Sequence, residues 1–121
     1  MKRLEGKRIL IVEDLPDNRM VLSYILADLG ATIDEASDGK EALSKIEGDD
    51  YDLVLMDINM PVMSGFDVMQ KIKPIAEKPP VIALTAARVM DEKGALTHGF
   101  ASQILKPVDP YKLIDEIEQF L

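Results

Sequence analysis

The 121 residues are enough for one domain and, at 47% hydrophobic, for a full apolar core. A formal net charge of -8 argues against direct binding to nucleic acid or to an anionic membrane, since both need a basic footprint. With no cysteine and one histidine, His98, neither a disulfide framework nor the usual zinc cluster can be assembled. The N-terminal stretch holds only four consecutive apolar residues, Ile9 to Val12, before two acids, too few for a signal core or a membrane span. The cytoplasm is the expected location, and no membrane insertion is expected.

In chain order, apolar runs of strand length alternate with segments of helical period, the pattern of an α/β protein with a parallel sheet. Ile9–Val12 is a continuous, largely β-branched run and stops at Glu13 and Asp14. Asp17–Leu29 places Val21, Leu22, Ile25, Leu26 and Leu29 on one helical stripe, with Gly30 as its stop. Thr32–Ala36 alternates and is more polar, which suits an edge strand. Asp38 caps a second helix running through Ile46, with Ala42, Leu43 and Ile46 inward. Leu53–Met56 is again continuous and stops at Asp57. Gly65–Ile72 predicts a short third helix ended by Pro74.

Val81–Leu84 resembles the two other continuous runs and stops at Thr85. A fourth helix is expected over Val89–His98, weakened by Gly94 and therefore the mobile element; His98 reads as an exposed helix-end residue. Gln103–Leu105 is short, as an opposite edge would be, and stops at Lys106-Pro107. Asp109-Pro110 then starts a last helix that buries Leu113, Ile114, Ile117 and Phe120. With three central and two edge strands, the expected fold is a five-stranded parallel sheet of order 2-1-3-4-5. It would form a flavodoxin-like three-layer sandwich with five helices, in a single domain over residues 1–121.

Parallel strands all point their C-terminal ends one way, so Glu13, Asp14, Asp57 and Lys106 would converge on one crevice. Two carboxylates about 4 Å apart repel by roughly 4 kcal/mol at an effective dielectric near 20. Either a proton stays on one group or a hard divalent cation binds. Oxygen donors without His or Cys select magnesium or calcium over zinc, and an open crevice with no EF-hand loop favours Mg²⁺. Beside such a cation Asp57 could act as a nucleophile toward phosphorus, with Lys106 and Thr85 as donors to the phosphoryl oxygens. Turns at Met60-Pro61 and Ser64-Gly65 would leave the Asn59 carbonyl open to the metal. Met60 and Met63 could add a soft docking surface.

Each residue also has a plainer role: Asp14 as a helix cap, Lys106 as a solvated surface lysine, Thr85 as a strand-end or cap residue. Their joint placement outweighs these. The strings VED, LVLMDINMP, SGFDVM, VIALTA and LKP, in this order and spacing, resemble the receiver domain of bacterial two-component response regulators over nearly the whole chain. The resemblance implies that Asp57 accepts a phosphoryl group from a phosphohistidine on a sensor histidine kinase or histidine phosphotransfer protein. It implies Mg²⁺ held by Asp14, Asp57 and the Asn59 carbonyl, with Glu13 acting mainly through metal-bound water. It further implies a phosphoryl contact from Lys106, movement of Thr85 and the adjoining Ala86 loop, a cis bond before Pro107, and a phosphate lifetime tuned at Asn59 and Ala87. Such a protein catalyses its own phosphorylation and dephosphorylation without being a conventional enzyme.

One position departs from the pattern. Where receivers carry an aromatic residue three before the lysine, this chain has Gln103, so the switch is expected to run through Thr85 and residues 86–90. Phe100, a further three residues upstream, is not the same position. Fourteen residues follow Pro107, which leads to the expectation of a monomeric or weakly dimeric single-domain regulator that signals by protein docking or phosphorelay. A receiver excised from a hybrid kinase would read the same way, and so would a scaffold that works without phosphorylation. An aspartate-nucleophile phosphohydrolase fits poorly, since it would need D-x-D after the first strand. A dinucleotide module fits poorly because LPDN has no glycine.

Overall fold

Five parallel strands run in the order β2-β1-β3-β4-β5, as the alternation of apolar runs and helical stripes requires. The structure, a computed structural model, describes residues 3–72, 79–86 and 99–121. The strands are β1 (Arg8–Val12), β2 (Thr32–Ala36), β3 (Leu53–Asp57), β4 (Val81–Thr85) and β5 (Ser102–Leu105). The described helices are α1 (Pro16–Asp28), α2 (Gly39–Gly48), α3 (Gly65–Ile72) and α4 (Pro110–Glu118). The helix expected over Val89–His98, with the roles expected of Ala87 and His98, lies outside the described residues.

The three continuous runs are the central strands, and every residue of β3 and β4 is buried. Side chains alternate between two cores. Leu10, Val12, Val54, Met56, Val81 and Ala83 meet Ala42 and Ile46 of α2 and Val68, Met69 and Ile72 of α3. Ile9, Ile11, Leu53, Leu55, Ile82 and Leu84 meet Leu22 and Leu26 of α1 and Leu113 and Ile117 of α4. Burying each Val, Leu, Ile or Met among them contributes about 1.5–3 kcal/mol, so a one-residue slip of any central strand would be prohibitive.

Helix ends follow local chemistry. The Asp38 carboxylate accepts the Glu41 N–H at 2.7 Å, and Asp109 accepts the Tyr111 N–H at 2.9 Å. Ser64 and Asp67 cap α3 reciprocally, with Ser64 N–H donating to Asp67 at 3.0 Å and Asp67 N–H to Ser64 Oγ at 3.3 Å. After α1, Gly30 takes a φ of +96°, which lets Ala31 N–H reach back to the Leu26 carbonyl at 3.3 Å.

Two expectations are corrected. Val21 leaves the apolar stripe of α1 and stays 55% exposed, because Leu22 and Leu26 carry the buried line and Val21 turns toward the crevice mouth. Met60 is buried in the core beside α2 and α3 and forms no open docking surface, whereas Met63 is partly buried against that core and still reaches the surface beside Val62 and Asp67. Among the described residues, no helix is long and apolar enough to cross a membrane.

Candidate functional site

The ladder carries each chemical residue to the C-terminal edge of the sheet. Asp57 pairs with Leu84, and Thr85 with Leu105, so the pairing continues past the apolar runs into the polar residues themselves. Glu13 N–H donates to the Ala36 carbonyl at 3.1 Å, which extends β1 by one residue. Glu13 and Asp57 are left only 1% and 2% exposed, while Asp14 is half-buried.

The expected convergence is found. Carboxylate oxygens of Glu13, Asp14 and Asp57 lie within 4.8 Å of one another. Lys106 Nζ stands 3.2 Å from Asp57 Oδ1 and 3.4 Å from Glu13 Oε2. Asn59 N–H donates to Asp57 Oδ1 at 3.1 Å, and Leu15 N–H to Glu13 Oε1 at 3.4 Å. Asp14 has neither a hydrogen bond nor an ion pair from its carboxylate among the described residues. Burial, then the charge of Asp57, raise the Glu13 pKa, and Lys106 offsets part of that rise. Burial alone would lower Lys106, but Asp57 and Glu13 outweigh it and its pKa is raised. Lys106 therefore stays a cation at neutral pH, one positive charge against three carboxylates.

The remaining residues surround this cluster. Thr85 is buried at the end of β4, and its carbonyl accepts the Lys106 N–H at 2.8 Å. Ala86 and Asn59 are exposed at the rim. The Lys106-Pro107 bond is cis. Gln103 is half-buried opposite Ala83. Phe100 packs edge-to-face on Phe66 with ring centroids 6.1 Å apart, on the side of the sheet that carries α2 and α3. A cavity of about 370 Å³ opens beside Glu13 and Lys106, bounded by Asn18, Val21, Pro107 and Val108.

Two local features go beyond the turn expected at Ser64-Gly65. Gly65 N–H donates to the Ile58 carbonyl at 3.0 Å, and a side chain there would strike the backbone of Asp57 and Ile58 at 2.9 Å. Val62, in the loop after Asp57, has a φ of +68°, the left-handed region a β-branched residue avoids.

A doubly wound parallel sheet with an acidic crevice and one lysine at its C-terminal edge is the architecture of receiver modules in two-component signalling. Consistent with this, the response regulator receiver domain family matches residues 9–118, and the chain belongs to that family. It is 42% identical over 123 aligned positions to an uncharacterized 14.6 kDa protein of Leptolyngbya boryana, covering 99% of this chain and 94% of that one. It is 35% identical to the aerobic respiration control sensor protein ArcB of Escherichia coli K12, over 97% of this chain but 15% of that protein. Among solved structures, the response regulator TrrA of Thermotoga maritima, in complex with Mg(2+)-BeF, superposes with a TM-score of 0.84. The two are 33% identical, and the match covers 95% of this chain and 99% of that one.

Proposed function

We propose that the chain is a single receiver domain that takes a phosphoryl group on Asp57 and passes the signal on by docking to another protein or by phosphorelay. The observation that carries this is the Lys106 ammonium bridging two buried carboxylates, Asp57 and Glu13, with Asp14 beside them. In the transfer, an Asp57 carboxylate oxygen bonds to phosphorus as the phosphorus–nitrogen bond of a partner's phosphohistidine breaks, and the imidazole keeps the electron pair. Lys106, at 3.2 Å from the nucleophile, can follow the new charge, and Thr85 can bond a phosphoryl oxygen through its hydroxyl. Water attack on phosphorus later restores the carboxylate and releases phosphate, at a rate set in part by the side chains of Asn59 and Ala87.

The donor set fits Mg²⁺. Three carboxylates within 4.8 Å are hard oxygen donors with an excess of negative charge, and no His or Cys joins them among the described residues. Asp14, Asp57 and the Asn59 carbonyl would hold the ion, with Glu13 reaching it through water. Bound there, Mg²⁺ would draw charge from the phosphoryl oxygens and relieve the repulsion among the carboxylates.

Phosphorylation adds about -1.5 to -2 of charge. With Gln103 in place of an aromatic, we read the switch as running through Thr85 and the residues after it, Ala86 first. Amide shifts confined to the crevice on phosphorylation would count against that route. The partners we infer are a sensor histidine kinase or phosphotransfer protein upstream and a protein target downstream, in the cytoplasm. Lys106→Ala should still take up phosphate but signal poorly.

The test is intact-protein mass after incubation with Mg²⁺ and acetyl phosphate or phosphoramidate, beside Asp57→Asn. One labile phosphoryl group on the wild type, missing from the mutant and without metal, is expected. A folded, Mg²⁺-binding protein that gains no mass from any donor would instead mark a scaffold that works without phosphorylation.

A further inference from the structure

Arg19 sits in the first turn of α1, where a cation opposes the helix dipole, so helix stability does not explain it. Its side chain is only 19% exposed. The guanidinium folds back over the helix start: Nη1 donates to the Glu13 main-chain carbonyl at 2.8 Å and Nε donates to Glu35 Oε1 at 2.9 Å. Glu13 N–H is already fixed on Ala36 at 3.1 Å. The peptide unit joining Glu13 to Asp14 thus has its carbonyl held by a charged donor tied to the end of β2. Asp14 needs this, since its carboxylate has no hydrogen bond or ion pair among the described residues and takes its placement from the backbone that carries it.

We propose that Arg19 is a positioning residue for the metal site: by holding the Glu13 carbonyl it aims the Asp14 carboxylate at the divalent cation. This rests on the reading of the acidic cluster as a Mg²⁺ site. Removing a nearby positive charge should by electrostatics alone tighten binding of a cation. Losing an outer hydrogen bond that orients a ligand should weaken it, by roughly tenfold or more. The two roles of Arg19 therefore predict opposite signs.

The experiment is titration of the unphosphorylated full chain with Mg²⁺ alone, followed by calorimetry and by the backbone amides of Glu13, Asp14 and Asp57, with far-UV circular dichroism as the check of folding. Arg19→Ala is expected to bind roughly tenfold more weakly. Arg19→Lys keeps the charge but replaces the rigid fork, whose Nε and Nη1 reach two separate acceptors, with a single flexible nitrogen, so it should fall between. Glu35→Gln keeps an acceptor for Nε and should bind like the wild type. Unchanged or tighter binding by Arg19→Ala overturns the proposal, as does a loss in Glu35→Gln equal to that in Arg19→Ala. Should Arg19→Ala fail to fold, wild-type affinity in Arg19→Lys overturns it. A wild type that takes no Mg²⁺ removes this proposal and the functional reading together, whereas normal wild-type binding with an unaffected Arg19→Ala removes this one alone.

Discussion

The backbone of Gly65 rests against that of Asp57: a Cβ built on the glycine would come within 2.9 Å of the Asp57 carbonyl oxygen. The start of α3 is thereby pressed onto the strand end that carries Asp57, and Gly65 N–H fixes the contact on Ile58. Gly65→Ala must push α3 away or move the Asp57 peptide, and over-packing of this kind costs about 1–3 kcal/mol. The helix propensity gained is about 1 kcal/mol at most, so packing wins. Urea unfolding should show a net loss, and phosphoryl uptake should slow in the folded fraction. A variant as stable as the wild type would mean the contact is looser than its geometry.

Val62 offers the opposite case. Met63 N–H donates to the Pro61 carbonyl at 2.7 Å, closing a tight three-residue turn about a fully exposed valine with φ of +68°. Left-handed backbone costs a non-glycine residue about 1–2 kcal/mol, and full exposure means no packing is lost on truncation. Val62→Gly gives back about 0.4–1 kcal/mol through unfolded-chain entropy. The expected balance is a stabilisation of about 0.5–1 kcal/mol, read as a higher urea midpoint at unchanged slope. A lower midpoint would show the turn to be unstrained.

Much of the architecture is legible in the amino-acid sequence. Ile9–Val12, Leu53–Met56 and Val81–Leu84 read as central strands because both their faces are buried, which writes an unbroken apolar run into the chain. The same logic brings Lys106 to Glu13, 93 residues apart, since parallel strands end together. The apolar runs stop one residue short of the strand limits at Asp57 and Thr85, because hydrogen-bonded pairing outlasts hydrophobicity there. Arg19 carries no such signal: its acceptor on Glu13 is a main-chain carbonyl, for which no spacing rule exists. Val62 is hidden for the opposite reason, since a valine argues against the very conformation it adopts.

At the other end of the sheet, Asp34 gives a pH prediction. Tyr51 Oη donates to its Oδ2 at 2.8 Å and Arg8 Nη2 donates to the same oxygen at 2.7 Å, with Arg8 also 4.8 Å above the Tyr51 ring. The Tyr51 hydrogen bond first, and then Arg8, hold the Asp34 pKa below its usual value. The unfolded chain therefore binds more protons around pH 4, and stability rises with pH across that window. The contribution is complete above the unfolded value of about 3.9 and is lost as pH falls through the folded one. Asp34→Asn should be less stable than the wild type at pH 7, with the gap closing in acid. A gap constant down to about pH 2 would assign the effect to packing rather than to charge.

Lys106→Met tests the charge balance of the crevice. It removes the cation that stands between Asp57 and Glu13 and leaves two buried carboxylates facing each other. Breaking a fully buried pair costs about 3–5 kcal/mol. Lys106 keeps 29% of its side-chain exposure, so solvent screening lowers the expected loss to about 1–3 kcal/mol at neutral pH without metal. Acid should restore part of it, because Glu13 is already biased toward its protonated form and loses its neutralising partner. Added Mg²⁺ should restore more, raising the melting temperature of the variant further than that of the wild type, since no ammonium competes for the carboxylates. Thermal scans with and without millimolar Mg²⁺ decide this. An equal shift in both proteins would mean that Lys106 and the cation do not share the same carboxylates.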